Sequence, residues 1–189
     1  GRGLIPNAAF YDKPYKGRWN GLTVISIAIG QGEILATPLQ IANLSATIAN
    51  RGHFITPHIV KEIQDNQLDS IYRTPRVPTI DRIHYEEVVK GMRAAVTGGT
   101  CRVAGYMFPE GEICGKTGTA QNRGHDHSAF MGFAPMNNPK IAIAVYVENG
   151  GFGATYGVPI GTLMIEITCG VSSWAPRRIL SRGGMRATT

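Results

Sequence analysis

Three strand-like segments that follow one another in the second half of the chain constrain the fold more than any other feature. They are "EICGKTGTAQ" at 112–121, "SAFMGFAPMNN" at 128–138 and "KIAIAVYVEN" at 140–149. The last two are joined by an Asn-Asn-Pro turn, and parallel pairing would need a much longer crossover connection. The sequence therefore predicts three consecutive antiparallel strands over 112–149.

Two helices are predicted before these strands. Thr37 and Pro38 have the residue types of an N-cap and a first helical position, and Ile41, Leu44 and Ile48 then repeat at helical spacing. The first helix is therefore predicted over 39–50. A second apolar stripe begins near Asp81 and stops at Gly98-Gly99, which predicts a helix between them.

A third helix is predicted after the strands, beyond the Gly-rich link "GGFGATYG". Pro159 suits its first turn, and one helical face is apolar; that face consists of Ile160, Leu163, Met164 and Ile167. Helices before and after consecutive strands predict an α+β domain in which the helices flank an antiparallel sheet.

Two stretches show no sustained period. The first twenty residues are predicted to be a loop-rich surface segment. Residues 53–80 contain three prolines and alternate only weakly, so they form either a pair of short strands or an irregular excursion.

Charge and hydropathy exclude several classes of protein. Four arginines after Pro176 supply most of the net charge of +6, so the body of the chain is nearly neutral and no nucleic-acid partner is predicted. The sequence therefore divides into a domain over 1–175 and a basic flexible tail over 176–189. No apolar run approaches the roughly 18 to 20 residues that span a bilayer, although a membrane anchor could lie outside this chain.

Neither cysteines nor histidines predict a metal site or a cofactor. The three cysteines, Cys101, Cys114 and Cys169, lack CxxC spacing and are expected to be buried thiols, which leaves the redox compartment open. His125 and His127 have metal-like spacing, but no third ligand cluster accompanies them, so a solvated turn is favoured.

The segment "CGKTGTAQ" at 114–121 resembles a phosphate-binding loop only superficially. Such a loop needs a glycine five positions before Gly115, where this chain has Glu110, and a helix after the lysine, where it has "TGTAQNRG". The link "GGFGATYG" also misses the dinucleotide fingerprint, because Tyr156 stands at the third glycine position. A nucleotide site is therefore the least favoured interpretation.

An edge strand that binds a carboxylate fits the same segment better. Lys116 offers a cation, the Thr117 hydroxyl a hydrogen-bond donor, Gly118 room for close approach, and the Thr119 amide a donor for a developing oxyanion. Lys116 and Gly118 share a face, so Thr117 reaches the ligand only if the strand twists or the ligand lies over the edge. Gln121 is a further candidate for substrate contact.

Longer stretches of the chain resemble the transpeptidase domain of class B penicillin-binding proteins, and most closely the elongation branch, penicillin-binding protein 2. The resemblance covers about residues 20–170 and rests on "IGQGEILATPLQIANLSATIANRG", "AGYMFPEGEICGKTGTAQ" and "HSAFMGFAPMNNPKIAIAVYVENGG". It implies the penicillin-recognising serine transpeptidase fold, which β-lactamases share. The family's Lys-Thr-Gly motif falls on Lys116, Thr117 and Gly118, with Thr119 as carboxylate contact and oxyanion amide.

The resemblance implies a peptidoglycan D,D-transpeptidase that cross-links stem peptides ending in D-Ala-D-Ala and is a target of β-lactam antibiotics. It further implies partners in the elongation machinery, including a membrane glycosyltransferase, and a place on the periplasmic face of the bacterial inner membrane. The family's nucleophile motif, Ser-x-x-Lys, and its Ser-x-Asn motif are absent from these 189 residues. The chain is therefore expected to be the C-terminal part of the domain and inactive alone.

A non-catalytic scaffold in the cell-wall machinery is the alternative, and the sequence upstream of this chain would separate the two.

Three nearby residues have simpler interpretations. Phe130 is expected in the core or pocket wall, Tyr156 at a polar rim, and Cys114 buried beneath the strand, since no histidine is placed by sequence to activate its thiol.

Overall fold

The computed structural model describes residues 2–170 and contains six α-helices and three strands within that range. The helices are α1 (Ala8–Tyr15), α2 (Gly21–Ala28), α3 (Pro38–Ala49), α4 (Arg82–Thr97), α5 (Arg102–Met107) and α6 (Gly157–Cys169). The strands are β1 (Cys114–Ala120), β2 (His127–Ala134) and β3 (Ile141–Val147). None of the described helices is both long and apolar enough to cross a membrane.

The three strands form one antiparallel sheet in the order β1-β2-β3. Thr117 lies opposite Phe130, and Ser128 lies opposite both Thr119 and Val147. The predicted antiparallel strands and the α+β class are confirmed. Within residues 2–170, β1 pairs with β2 alone, so its other edge is open.

One face of the sheet packs against α6 around the ring of Phe130, which is 2% exposed. Glycines in the strands and in α6 let the backbone approach this ring; they are Gly115, Gly132 and Gly161. A Cβ added at Gly161 would lie 2.5 Å from Cδ1 and 2.6 Å from Cε1 of the ring. Phe130 is therefore a core residue in a socket that only glycine can line.

The opposite face of the sheet packs against α3 and α4. Their cluster of buried side chains consists of Ile48, Ala49, Tyr85, Val89, Met92, Cys114 and Phe133. Arg51, just after α3, links this helix to the turn between β2 and β3. Its guanidinium donates to Ala49 O, at the end of α3, at 2.6 Å and to Met136 O, in the turn, at 3.1 Å. Both faces of the sheet are thus covered by helices of this chain.

The two helices predicted before the strands are confirmed. Thr37 caps α3 by accepting from Gln40 N, and the Gln40 side chain accepts in return from the Thr37 N–H at 2.8 Å. Asp81 and Gly98 flank α4, as the sequence predicts, although the Asp81 side chain makes no capping hydrogen bond.

The helix predicted after the strands exists as α6, but the apolar face that its sequence marks does not pack on the sheet. Ile160, Leu163, Met164 and Ile167 are between 40% and 62% exposed. The face that packs on the sheet carries Val158, Gly161, Thr162 and Ile165. The large ring of Phe130 fills the space between α6 and the sheet, so the helix meets it with small residues rather than its largest apolar ones.

Most of the first twenty residues are exposed, as predicted for a surface segment, but the prediction that they are loop-rich is wrong where α1 lies. Asn7 caps it by accepting from Phe10 N, and Pro14 lies in its last turn, where it cannot donate a hydrogen bond to the preceding turn. Tyr11 is 3% exposed and anchors the helix to a distant segment. Tertiary contact thus stabilises a helix that local periodicity does not reveal.

Residues 53–80 follow the irregular alternative. They contain two isolated pairings, Phe54 with Arg76 and Ile63 with Asn66, and one 3-10 turn at Ser70–Tyr72. A second 3-10 turn, Pro109–Gly111, precedes β1. The predicted basic tail over 176–189 lies outside the described residues.

Candidate functional site

The open edge of β1 brings together the backbone groups that the sequence assigns to ligand binding. In an antiparallel ladder, alternate residues direct both N–H and C=O away from the neighbouring strand. Thr117 O accepts from Lys116 Nζ and Thr119 O from Gln31 Nε2, so these carbonyls face the open edge. The N–H groups of Thr117 and Thr119 therefore face the same edge, which fits the amide role predicted for Thr119.

Lys116 and Thr117 lie on opposite faces of β1 and converge on this edge. Lys116 is exposed, and its ammonium folds back to Thr117 O at 2.6 Å. The Thr117 hydroxyl lies 2.8 Å from that of Thr100, which follows α4. A ligand that lies over the edge can reach both side chains. Of the two arrangements that side-chain alternation allows, a twisted strand or a ligand over the edge, this is the second.

Gly118 lies where the link before α6 crosses the sheet. A Cβ added at Gly153 would clash with Ala129 O and would lie 2.6 Å from Gly118 O. Gly118 and Ala129 are paired in the ladder, so Gly153 rests directly on their peptide groups. The glycines of "GGFG" thus serve close packing against β1 rather than nucleotide binding.

Gln31 reaches the site from a segment 88 residues away in the sequence. Its side chain donates from Nε2 to Thr119 O at 3.0 Å. It belongs to residues 29–35, which we call the arm, and the arm turns at Gly30 and Gly32, with φ angles of 78° and 72°. These positive angles favour glycine, so "GQG" is a turn that presents one glutamine to β1.

The carboxylate of Glu33 fixes the arm to α1. Tyr11 donates to Glu33 Oε2 at 2.8 Å and Tyr15 to Oε1 at 2.9 Å. These hydrogen bonds lower the pKa of Glu33. Burial, followed by the hydrogen bond to Glu33, raises the pKa of Tyr11 to about 12.

Among the described residues, no three or more His, Cys, Asp or Glu side chains are arranged to hold a metal ion. His127 accepts from Asn149 N through Nδ1 at 2.9 Å, and its Nε2 lies 3.0 Å from the Asn122 side chain. An open depression of about 440 Å³ adjoins this end of the strands. Its lining residues are Gly124, His125, Asp126, Asn149, Gly150, Gly151, Phe152 and Tyr156.

The buried thiols near the site are poorly suited to act as nucleophiles. Burial raises the pKa of Cys114 to about 11 and also raises the pKa of Cys101. Both side chains are fully buried, and Cys169 is partly buried. The expectation that Cys114 lies buried beneath the strand is confirmed.

Three residues that contact the candidate site have no role predicted from the sequence; they are Thr100, Gln31 and Gly153. Each touches β1 from a different part of the fold, and none belongs to a local pattern of chemical groups. The glycines on both sides of Gln31 were the one available signal, since they indicate a turn. The exposed Gln121 remains a predicted substrate contact, and the exposed Tyr156 remains a predicted rim residue.

Comparison with known proteins identifies the family. The model of the penicillin-binding protein transpeptidase domain matches residues 10–163. This chain belongs to the penicillin-binding protein transpeptidase family. Residues 114–121 and the arm both lie within the matched region, so the open edge of β1 is part of the family's domain. The expected penicillin-recognising fold is confirmed.

Named members of the transpeptidase family support the closer assignment to the penicillin-binding protein 2 group. The chain is 36% identical over 173 residues to peptidoglycan D,D-transpeptidase MrdA of Acinetobacter baumannii, covering 81% of this chain and 25% of the relative. It is 32% identical to MrdA of Haemophilus influenzae, covering 86% and 28%. The chain thus spans less than a third of the length of these relatives.

Solved structures show the same relationship. Pseudomonas aeruginosa PBP2 in complex with WCK 5153 superposes with a TM-score of 0.76 at 38% identity, covering 87% of this chain and 36% of that one. PBP2 from Helicobacter pylori, in a complex with MreC, gives a TM-score of 0.73 at 25% identity, covering 87% and 30%.

Proposed function

We propose that this chain supplies the strand-edge wall of the active site in a peptidoglycan D,D-transpeptidase that cross-links stem peptides during cell-wall elongation. The observation that carries the proposal is the open edge of β1, where an ammonium, a hydroxyl and two outward N–H groups lie together in a transpeptidase-family fold. These groups recognise an extended peptide that ends in a carboxylate.

The proposed reaction is acyl transfer through a serine that a longer parent protein contributes. The serine hydroxyl attacks the carbonyl carbon of the penultimate D-Ala, the peptide C–N bond breaks, and the terminal D-Ala leaves with the proton. An amine of a second stem peptide then attacks the ester carbonyl, a new amide forms, and the serine regains its proton. The Thr119 N–H stabilises the oxyanion in both steps.

Lys116 and Thr117 orient the substrate in this mechanism. The terminal carboxylate replaces Thr117 O as the partner of the lysine ammonium and accepts from the threonine hydroxyl. A β-lactam, which resembles D-Ala-D-Ala, occupies the same edge and leaves a slowly hydrolysed acyl-enzyme. The parent acts at the periplasmic face of the inner membrane with other elongation proteins, including a membrane glycosyltransferase.

A fluorescent penicillin tests the proposal. The full-length parent should become covalently labelled at one equivalent, and Lys116→Ala should slow labelling by roughly 10-fold or more because a charge-assisted contact is lost. Lys61→Ala, an exposed lysine in the irregular excursion, is the matched control and should label normally. The 189 residues alone should remain unlabelled, because they lack Ser-x-x-Lys.

Two results would count against this function. Stoichiometric labelling of the isolated chain would refute the assignment of the nucleophile to another segment. A folded parent that never becomes labelled would favour the non-catalytic scaffold.

A further inference from the structure

The side chains of Thr100 and Thr117 meet through their hydroxyl oxygens, which lie 2.8 Å apart. This separation is typical of an O–H···O hydrogen bond. A hydroxyl has one hydrogen to donate and two lone pairs that accept, so either threonine can be the donor. The contact joins the segment after α4 to the middle residue of the Lys-Thr-Gly motif.

A carboxylate bound at the open edge of β1 leaves only one direction for this hydrogen bond. A carboxylate accepts hydrogen bonds and donates none, so Thr117 must give it the single hydrogen of its hydroxyl. The Thr117 oxygen keeps its lone pairs, which can accept from Thr100. The contact therefore persists only if Thr100 donates to Thr117, and the two hydroxyls then form a chain that ends at the ligand carboxylate.

The backbone around Thr100 holds its hydroxyl in place. Gly99 packs tightly on α4, since a Cβ added there would lie 2.8 Å from Ala95 Cα and 3.0 Å from Ala95 O. The N–H groups of Gly99 and Cys101 both donate to Ala95 O, at 3.1 and 2.9 Å, and Cys101 is fully buried. Thr100 itself is exposed but lies between these two fixed neighbours, so its hydroxyl is preorganised.

A separate contact fixes α4 relative to β1. Arg93 donates from Nη1 to Ile113 O at 3.0 Å, and Ile113, which directly precedes β1, is fully buried. The two threonines are therefore held near each other by contacts other than their own hydrogen bond. Removal of the Thr100 hydroxyl should leave α4 and β1 in place.

We propose that Thr100 is a positioning residue for carboxylate recognition, whose hydroxyl donates to Thr117 and thereby directs the Thr117 hydrogen to the ligand carboxylate. This inference rests on the proposed function. Thr100 acts through Thr117 and does not itself touch the ligand. Because hydrogen bonds in such a chain polarise one another, the donation also makes Thr117 a stronger donor.

Thr100 should affect ligand binding rather than the acylation step. The ligand carboxylate is charged before and during acylation, so a contact to it is equally strong in the non-covalent complex and in the transition state. Such a contact changes the dissociation constant K of the non-covalent complex and leaves the acylation rate constant k2 unchanged.

The test separates K from k2 in the full-length parent by measuring labelling rates over a range of fluorescent-penicillin concentrations. Thr100→Val removes the donor at nearly constant side-chain size, and should raise K by about 2- to 10-fold while k2 stays within about twofold. Thr100→Ser keeps the hydroxyl and should keep K near that of wild type. Thr79→Val makes the same change as Thr100→Val at an exposed position in the irregular excursion and should leave both constants unchanged.

A double-mutant cycle shows whether Thr100 acts through Thr117. In the Thr117→Val background the hydroxyl that Thr100 orients is gone, so Thr100→Val should change K by less than about twofold. A loss of the same size in both backgrounds would mean that Thr100 contacts the ligand directly or acts elsewhere, and would overturn the proposal.

Three further results would also overturn it: an unchanged K in Thr100→Val, a failure of Thr100→Ser to restore K, or a change in K that matches a lower folded fraction in thermal melts. If the valine variant does not fold, Thr100→Ala, which adds no bulk at this exposed position, should show the same rise in K. If neither variant folds, Thr100 is a structural residue and the proposal is wrong. Failure of the wild-type parent to acylate would instead refute the proposed function.

Discussion

The glycine socket around Phe130 leads to a prediction about how two core residues depend on each other. Gly161→Ala puts a methyl group 2.5 Å from the Phe130 ring, against about 3.4 Å for ordinary contact. The ring cannot retreat, because added Cβ atoms at Gly115 and Gly132 would also lie within 3 Å of it. We therefore expect a steric cost near the upper end of the overpacking range, about 3 kcal/mol.

The same substitution should have the opposite sign when the ring is absent. Phe130→Ala alone should cost about 4 kcal/mol, because the glycines around it have no side chains with which to fill the cavity. In that background Gly161→Ala meets no ring and gains about 1 kcal/mol of helix propensity. With the ring present, this gain reduces the steric cost to a net loss of about 2 kcal/mol. The two substitutions should therefore couple by about 3 kcal/mol.

Urea unfolding of the four proteins of this cycle, followed by circular dichroism, measures the coupling in the free energy of unfolding. Gly91→Ala in α4 is the matched control, because a Cβ there meets nothing within 4 Å. It should raise stability by about 1 kcal/mol in both backgrounds. Equal effects of Gly161→Ala with and without the ring would refute the socket as the reason for glycine at this position.

Three further predictions concern the site and its supports. Thr117→Val should slow penicillin acylation of the parent by about 10- to 100-fold, because a hydrogen-bond donor to the ligand carboxylate is lost. Thr117→Ser keeps the hydroxyl and should keep most of the rate. A normal acylation rate for the valine variant would contradict this prediction. Glu33→Gln should lower the pKa of Tyr11 below about 12 but leave it above its ordinary 10.0, since burial remains. NMR of labelled tyrosine measures this pKa. Either an unchanged pKa or a fully ordinary one would count against the prediction. Ser128→Ala leaves the buried Gly157 N–H unpaired and removes one of the two hydrogen bonds to Phe152 O, so it should cost about 1 to 3 kcal/mol in thermal unfolding, against almost nothing for the exposed Ser70→Ala.

The lowered pKa of Glu33 also determines how the arm responds to acid. A carboxyl whose folded-state pKa lies below its ordinary 4.5 stabilises the fold above that value. This contribution is lost as the pH falls through the lower, folded-state value. The attachment of the arm to α1 should therefore weaken in acid, and the same loss should not occur in the Glu33→Gln variant.

The elements that sequence predicted well are those with strong local signals. Thr37 and Pro38 mark the start of α3, and the alternating segments mark the three strands, because caps, turns and strand patterns act over a few residues. The strand that carries Lys116 and Thr117 was therefore placed correctly. Lys116 and Thr117 lie at an open edge because consecutive antiparallel pairing gives the strand order β1-β2-β3, which places β1 at one end of the sheet.

The features that sequence missed depend on distant contacts. The buried face of α6 is set by the ring of Phe130, so its large apolar residues, such as Leu163, lie outward, against the usual helical rule. The first helix depends on Glu33, far from Tyr11 in sequence. Gln31 itself has no local signal of contact with Thr119.

The separation of Gln31 and Thr119 along the chain has a consequence for folding kinetics. Strands β1 to β3 lie within 114–147 and close short loops, whereas the arm must close a loop across 88 residues. We expect the sheet to form first and the arm to dock after the rate-limiting step, so Gln31→Met should speed unfolding and leave refolding nearly unchanged. The lifetime of the docked arm, rather than the rate at which the sheet forms, then governs how long the open edge keeps its Thr119 carbonyl occupied.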